Sequence, residues 1–325
     1  MPAVNLSPKL SARMALSKSR GGALLTALFI MTLVAIVATA MSSRLQVDIY
    51  RTRLIINHDK LYFASQAVAF WAMSELGDAK KKFAVADAEG MVLSYPKNMS
   101  TIYPSVTLSG GIYDLQGRFN LNNLSNKKYI LGFVNFIGAT AAQMTATEKM
   151  GLALAINNWV SPYDLGVGED SFLSYYLHQK PPYHPSRQLM TSSSELRLIK
   201  DVSPKIFLAL QPYVTALPDL TAININTASK QVLMSLNNTM NEQRVNELLE
   251  LRGKNGFKRI EKANDLLKKM NVANDQVTLE SAYFLSVAHA SIENFNFTVY
   301  TLLKRNRDKK GKITVSILRE SFNVF

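Results

Sequence analysis

The dominant feature of the polarity pattern is one long apolar run. From Gly21 to Ser43 there are 23 residues without a charge, bounded by Arg20 and Arg44. As a helix at about 1.5 Å per residue the run is roughly 34 Å long, enough to span a bilayer. Neither Pro nor Gly occurs between Ala23 and Leu76, so the pattern predicts that the helix continues past the apolar run, to about 80 Å in all. In its second half Leu54, Leu61 and Val68 recur at helical spacing, with Phe63, Phe70 and Trp71 close by. That stripe predicts a side packed on a domain, and Gly77 offers a stop.

Beyond the helix the pattern changes twice. Val85 to Leu124 reads as strands punctuated at Tyr95-Pro96, Gly110-Gly111 and Gln116-Gly117. Tyr283 to Phe325 reads the same way: "FNFTVYTLL" and "KITVSILRESF" are rich in β-branched and aromatic residues, and the polar "KRNRDKKGK" between them reads as a hairpin loop. Between these blocks "EKMGLALAINNWV", "SSSELRLIKDV", "PKIFLALQPYV", "TASKQVLMSLNN", "NEQRVNELLELRG" and "IEKANDLLKKM" carry apolar residues three and four apart. They predict helices. Ser192-x-x-Glu195 matches a capping box, and Thr227 or Asn226 can cap the helix that follows. The expected class is α+β: a long amino-terminal helix packed on an antiparallel sheet that is interrupted, over 126–278, by an α-helical domain. The expected segments on either side are 44–125, for the outer helix and the first strands, and 279–325, for the strands that complete the sheet.

Composition removes several function classes. The 325 residues include no Cys, which excludes thiolate zinc sites and disulfides. His58, His178, His184 and His289 lie scattered, and there is no Gly-x-Ser-x-Gly elbow. No enzyme is expected. The net charge is +13, which permits nonspecific attraction to nucleic acid, but the basic cluster Lys304 to Lys312 reads as a solvated hairpin tip. Charges flank the apolar run on both sides, with Lys9, Arg13, Lys18 and Arg20 before it and Arg44, Arg51 and Arg53 after it, so the positive-inside bias is weak. Ala38-Thr39-Ala40 could serve as a signal cleavage site, but a secretory signal has an apolar core of only about 7–15 residues. One loop is rich in oxygen: "SPYDLGVGEDSF" places Asp164, Glu169 and Asp170 within seven residues beside two glycines. Such a loop is either a structural Ca²⁺ loop or an ordinary solvated acidic turn.

A short basic leader, a glycine, an apolar segment and an amphipathic continuation of the same helix together resemble type IV prepilins and type II secretion pseudopilins. The resemblance implies a prepilin leader over 1–21, a peptidase cut between Gly21 and Gly22 with Gly22|Ala23 as the nearby alternative, N-methylation of Gly22, and a membrane segment over 22–43. The cut takes away four positive charges and no negative one, which lowers the net charge from +13 to +9. Most pilins carry Glu at the fifth mature position, where this chain has Thr26. Because that Glu is thought to meet the neighbouring subunit, its absence implies a subunit with no neighbour on one side.

The stretches "QGRFNLNNL" (116–124), "SSELRLIKDV" (193–202), "LQPYVTALP" (210–218) and "ININTAS" (223–229) resemble, in order and spacing, the protein K family of minor pseudopilins. This implies a pilin-like fold carrying a SAM-like or helix-hairpin-helix-like insertion. It also implies a place at the pseudopilus tip with the I and J minor pseudopilins, where assembly begins for export of folded proteins across the outer membrane. The implied location is the inner membrane of a Gram-negative bacterium, single-pass, with the carboxyl-terminal domain in the periplasm. Implied partners are the prepilin peptidase, the inner-membrane assembly platform and secreted substrates. Calcium is implied in the helical domain after the Trp that matches Trp159, although Ser161-Pro162-Tyr163 stands where the family has an acidic run. The alternative is a DNA-binding pseudopilin of a competence system, since "ININTAS…LLELRGKNGFKRIEKANDLL" also resembles helix-hairpin-helix modules. The hairpins Lys200–Pro204 and Leu236–Met240 contain no glycine, so neither is expected to cradle a phosphate.

Overall fold

The computed structural model describes residues 22–141, 143–163 and 170–323. Helix α1 runs from Gly22 to Gly77. The described residues up to Ile56 form one unit and those from Asn57 onward another. In the first unit the helix is apolar and exposed from Leu24 through Met41, among them Leu25, Phe29, Ile30, Leu33 and Ile36. It is long and apolar enough to cross a membrane.

In the second unit the remainder of α1 lies on a five-stranded antiparallel sheet. Strands β1 (Met91–Ser94), β2 (Thr107–Asp114), β7 (Tyr283–Ile292), β8 (Phe295–Arg307) and β9 (Ile313–Phe322) are ordered β1-β2-β7-β8-β9. Leu61, Ala64 and Val68 of α1 pack on Leu108, Ala288, Ala290 and Val299. Farther along, Ala72 and Leu76 pack on Ile112, Phe284 and Leu303. Trp71 meets the edge of Tyr95 at 5.2 Å. Phe63 and Phe70, expected beside this stripe, are instead 60% and 63% exposed. Each stands two residues beyond a buried one, Leu61 and Val68, and two residues turn a helix by about 200°, which carries them to the opposite side. The sheet needs Gly110 where β2 meets β7: its φ is +139° and a Cβ there would lie 1.9 Å from the Val287 carbonyl oxygen.

Between β2 and β7 the chain leaves the sheet. In order come β3 (Phe119–Asn120), α2 (Ile130–Thr140), α3 (Ala146–Val160), α4 (Leu173–Leu177), α5 (Pro204–Leu210), β4 (Val214–Thr215), β5 (Ile223–Asn224), α6 (Lys230–Leu233), α7 (Glu242–Arg252), α8 (Glu261–Lys269) and β6 (Val277–Thr278). Two short parallel pairs, β3 with β4 and β5 with β6, tie distant parts of this insertion together. Its core holds Phe119, Phe133 and Phe136, with ring centroids 4.9 Å and 5.5 Å apart along the series. Burying one such ring contributes about 1.5–3 kcal/mol. Gly132 lets α2 approach the turn at Met234–Leu236, because a Cβ would lie 2.1 Å from the Ser235 carbonyl oxygen.

The polarity pattern misplaced some of these residues. Phe119 to Leu124 read as part of the sheet block, yet Phe119, Leu121 and Leu124 belong to the core of the insertion. Ser193–Leu198 is a 3-10 helix, opened by the capping box of Ser192 and Glu195. The helix after "ININTAS" is capped by Ser229, which accepts from Val232 N at 3.3 Å. Asn226 and Thr227 are taken up by tertiary partners instead.

Candidate functional site

Three places carry the residues singled out by sequence. The first is the start of α1. Gly21 lies outside the described residues, and Gly22 is the first residue of the helix. The hydroxyl of Thr26 donates to the carbonyls of Gly22 and Ala23, each at 3.0 Å. The first turn contains no acidic residue. A hydroxyl closed on its own helix needs no outside partner, whereas a carboxylate in hydrocarbon does.

The second place is the junction of sheet and insertion, built from short amide side chains amid apolar runs. Asp114, the last residue of β2, is 1% exposed. It accepts from Thr227 Oγ1 at 2.6 Å, Ser281 Oγ at 2.7 Å, Asn224 Nδ2 at 2.9 Å and Gln116 N at 2.8 Å. Burial pushes its carboxyl above the ordinary range, and these four donors oppose the shift. Gln116 donates to Ala222 O at 2.9 Å and accepts from Ala282 N at 2.5 Å, so it holds both ends of the later chain.

Three asparagines imitate a strand partner by both donating to and accepting from one segment. Asn122 does so with Met190, at 2.9 Å and 2.8 Å, and also donates to Leu217 O at 2.8 Å. Asn123 pairs with Thr221 at 2.8 Å and 3.0 Å, and Asn226 with Phe257 at 3.1 Å and 2.6 Å. These asparagines belong to the "QGRFNLNNL" and "ININTAS" stretches, which meet where Asn224 N donates to Gln116 O at 2.8 Å. Sequence reading missed Asp114, whose only signal was a carboxylate inside the apolar "GIYDLQG". Beside it lies a cleft of about 480 Å³, lined among others by Arg118, Tyr213, Ser229 and Arg252. Among the described residues its lining also includes Asp87 and Glu89.

The basic cluster near the end of β8 is only partly a solvated tip. Arg305 is 6% exposed and donates to the carbonyls of Leu76, Asp78 and Lys81 at 2.7, 3.0 and 3.0 Å. Lys304 pairs with Asp219 at 2.7 Å, and its hydrogen bond, with that of Tyr283, holds the Asp219 carboxyl below the ordinary range. The turn itself starts at Asp308, whose carboxylate accepts from Lys310 N and Lys312 N at 2.9 and 2.8 Å.

The hairpin Leu236–Met240 is occupied from within. Asn135 of α2 donates to the carbonyls of Met234, Asn237 and Met240, and Asn237 donates to Asn271 O at 2.7 Å. Those contacts turn it toward its own domain.

The third place is the acidic loop. Asp164 and Glu169, two of the three candidate calcium ligands, lie outside the described residues. Asp170 is described, and its carboxylate is committed: Oδ1 accepts from Phe172 N at 3.0 Å and Asn158 Nδ2 at 3.3 Å, while Oδ2 forms an ion pair with Arg187 Nη2. Arg187 also donates from Nη1 to Asn158 O at 2.9 Å and lies over the Tyr163 ring at 5.3 Å. Among the described residues one buried oxygen here, Asn158 Oδ1, has no partner. Calcium takes 6–8 oxygens at 2.3–2.6 Å. Among the described residues no group of three or more His, Cys, Asp or Glu could hold a metal, and the charge of Asp170 is matched by the Arg187 guanidinium. With Asp164 and Glu169 outside them, the described residues do not by themselves furnish a Ca²⁺ shell. Trp159, which the resemblance set before this loop, is buried and donates from Nε1 to Glu195 Oε2 at 3.1 Å.

A family described as "Type II secretion system (T2SS), protein K" matches twice, over residues 117–219 and 223–281. The chain is 33% identical over 233 residues to the type II secretion system protein K of Aeromonas hydrophila, covering 64% of this chain and 66% of that one. It is 29% identical over 210 residues to that of Pseudomonas aeruginosa, covering 63% and 62%. The matches thus span just under two thirds of these relatives. The protein K of Pectobacterium carotovorum subsp. carotovorum matches at 23% identity over 90% of this chain and 94% of its own. Among solved structures, a chain in the crystal structure of the GspK-GspI-GspJ complex from the enterotoxigenic Escherichia coli type 2 secretion system superposes with a TM-score of 0.66 at 18% identity. That likeness of fold covers 85% of this chain and 100% of the other.

Proposed function

Because this chain belongs to the type II secretion system protein K family, we propose that it is a minor pseudopilin without enzymatic activity. In this reading a prepilin peptidase cuts between Gly21 and Gly22, and the new amino terminus is methylated. Residues 22–43 then hold the protein in the inner membrane, with the carboxyl-terminal domain in the periplasm. Its partners are I-type and J-type minor pseudopilins, like those in the solved GspK-GspI-GspJ complex, and the assembly platform that receives the helix.

The observation that carries the reading is the insertion from Phe119 to Thr278, which leaves a pilin-like sheet after β2 and returns at β7. A domain of that bulk, fixed to the sheet through Asp114 and Gln116, obstructs the placing of a further subunit above it. Thr26 agrees with this, because its hydroxyl is satisfied inside its own helix and offers no charge to a subunit on that side. A subunit of this kind terminates a filament, begins its assembly with I and J, and stands where exported proteins are met.

Mass spectrometry of the amino-terminal peptide, from protein made in its own cell, tests the reading. A methylated start at Gly22 is expected, with copurification of I-type and J-type subunits. A start at Met41 would mean a discarded signal and would end the tip assignment. Salt-dependent retention on DNA without those subunits would favour the competence alternative.

A further inference from the structure

The family resemblance places a cation in the helical insertion, and in this chain a guanidinium lies among the segments beside the acidic loop. Asp170 precedes α4, Asn158 lies in the last turn of α3, and Arg187 follows the proline-rich "KPPYHPS". Three separate segments therefore meet at one guanidinium. Nη1 donates to Asn158 O at 2.9 Å, Nη2 pairs with the Asp170 carboxylate, and the planar group lies 5.3 Å from the Tyr163 ring centroid. A guanidinium presents several donors in a fixed plane, so it can serve a carbonyl and a carboxylate at once as a divalent cation would.

The surroundings show that this arrangement is built rather than incidental. The Asp170 side chain is 8% exposed and that of Arg187 19%. Burying a pair of charges is costly unless each is matched. Arg187 also holds φ at +56°, a left-handed conformation that a non-glycine residue adopts only where its surroundings enforce it. Three residues on, Met190 is held at both its N–H and its carbonyl by Asn122, so the loop carrying Arg187 is anchored to the junction.

We propose that Arg187 is the structural cation of this insertion, and that the domain folds and persists without Ca²⁺. The pair joins α3, the start of α4 and the 178–190 loop by a charge that cannot dissociate from the chain. The proposal concerns stability and holds whether or not the protein occupies a pseudopilus tip.

The test uses the full-length chain in detergent micelles. Metal analysis of protein purified in calcium-containing buffer is expected to find no stoichiometric calcium. Titration with CaCl₂ is expected to give no saturable heat, and melting is expected at the same temperature in EGTA and in CaCl₂. Arg187→Gln is expected to lower the melting temperature by about 5 °C or more in both media. Saturable calcium binding by the wild type, or a melting temperature that falls on chelation, would overturn the proposal. So would an Arg187→Gln protein that melts like the wild type. If Arg187→Gln fails to fold, the wild-type measurements still decide.

Discussion

Arg305 Nε donates to the carbonyl of Leu76 at 2.7 Å, joining strand β8 to the last turn of α1. The same guanidinium reaches Asp78 and Lys81, so it satisfies carbonyls that a helix end leaves without partners and places a positive charge at the negative end of the dipole. Arg305→Met keeps the aliphatic stem and leaves these carbonyls unpaired. It is expected to cost about 2–4 kcal/mol, read as a lower denaturant midpoint at unchanged slope.

The carboxyl of Asp114 ties β2 to the insertion and predicts a pH dependence. Its pKa in the folded chain is raised above the ordinary 3.8 by burial, so the folded state binds the proton more tightly than the unfolded one. Stability from this group is fully present below the unfolded value and is lost as pH rises through the higher folded value. Asp114→Asn is expected to remove that slope. It should also lower stability at neutral pH by about 1–3 kcal/mol, because an amide nitrogen accepts no hydrogen bond and so cannot replace the oxygen that accepts from Asn224, Thr227 and Ser281. Denaturation midpoints measured across acidic pH for both proteins check this.

Asn122→Ala removes two donated bonds and one accepted bond at a fully buried site. The expected cost is about 2–4 kcal/mol. Hydrogen exchange should show the loss around Met190 and Leu217 before it appears in the sheet.

Thr26→Val removes a hydroxyl that, among the described residues, bonds Gly22 and Ala23 of the same helix. Membrane insertion and secretion by a complemented strain are expected to stay within about twofold of wild type, since such back-bonding contributes little to a helix. Thr26→Glu introduces a charge close to one end of the apolar run, where it costs less than the about 2.5–3.5 kcal/mol of a helix centre, and a modestly lower incorporation into the membrane fraction is expected.

What the sequence determined by itself follows from local periodicity. The uncharged run of α1, its continuation to Gly77, the strands after Tyr283 and the capping box of Ser192 and Glu195 were all legible, because helix rise, strand alternation and cap chemistry act over a few residues. Tertiary structure decided the rest. Asn226 and Thr227 have the chemistry of helix caps, yet Phe257 and Asp114 claim them and Ser229 takes the cap. Arg305 sits in a run of basic residues that reads as solvated, yet its partners lie more than two hundred positions away. Asp170 reads equally as a metal ligand or as part of a solvated acidic turn, and its ion pair with Arg187 comes from a separate loop. In each case a short polar or charged side chain fits several roles equally well locally. The choice is made by whichever distant backbone group would otherwise be buried without a partner, and that is settled only when the chain packs.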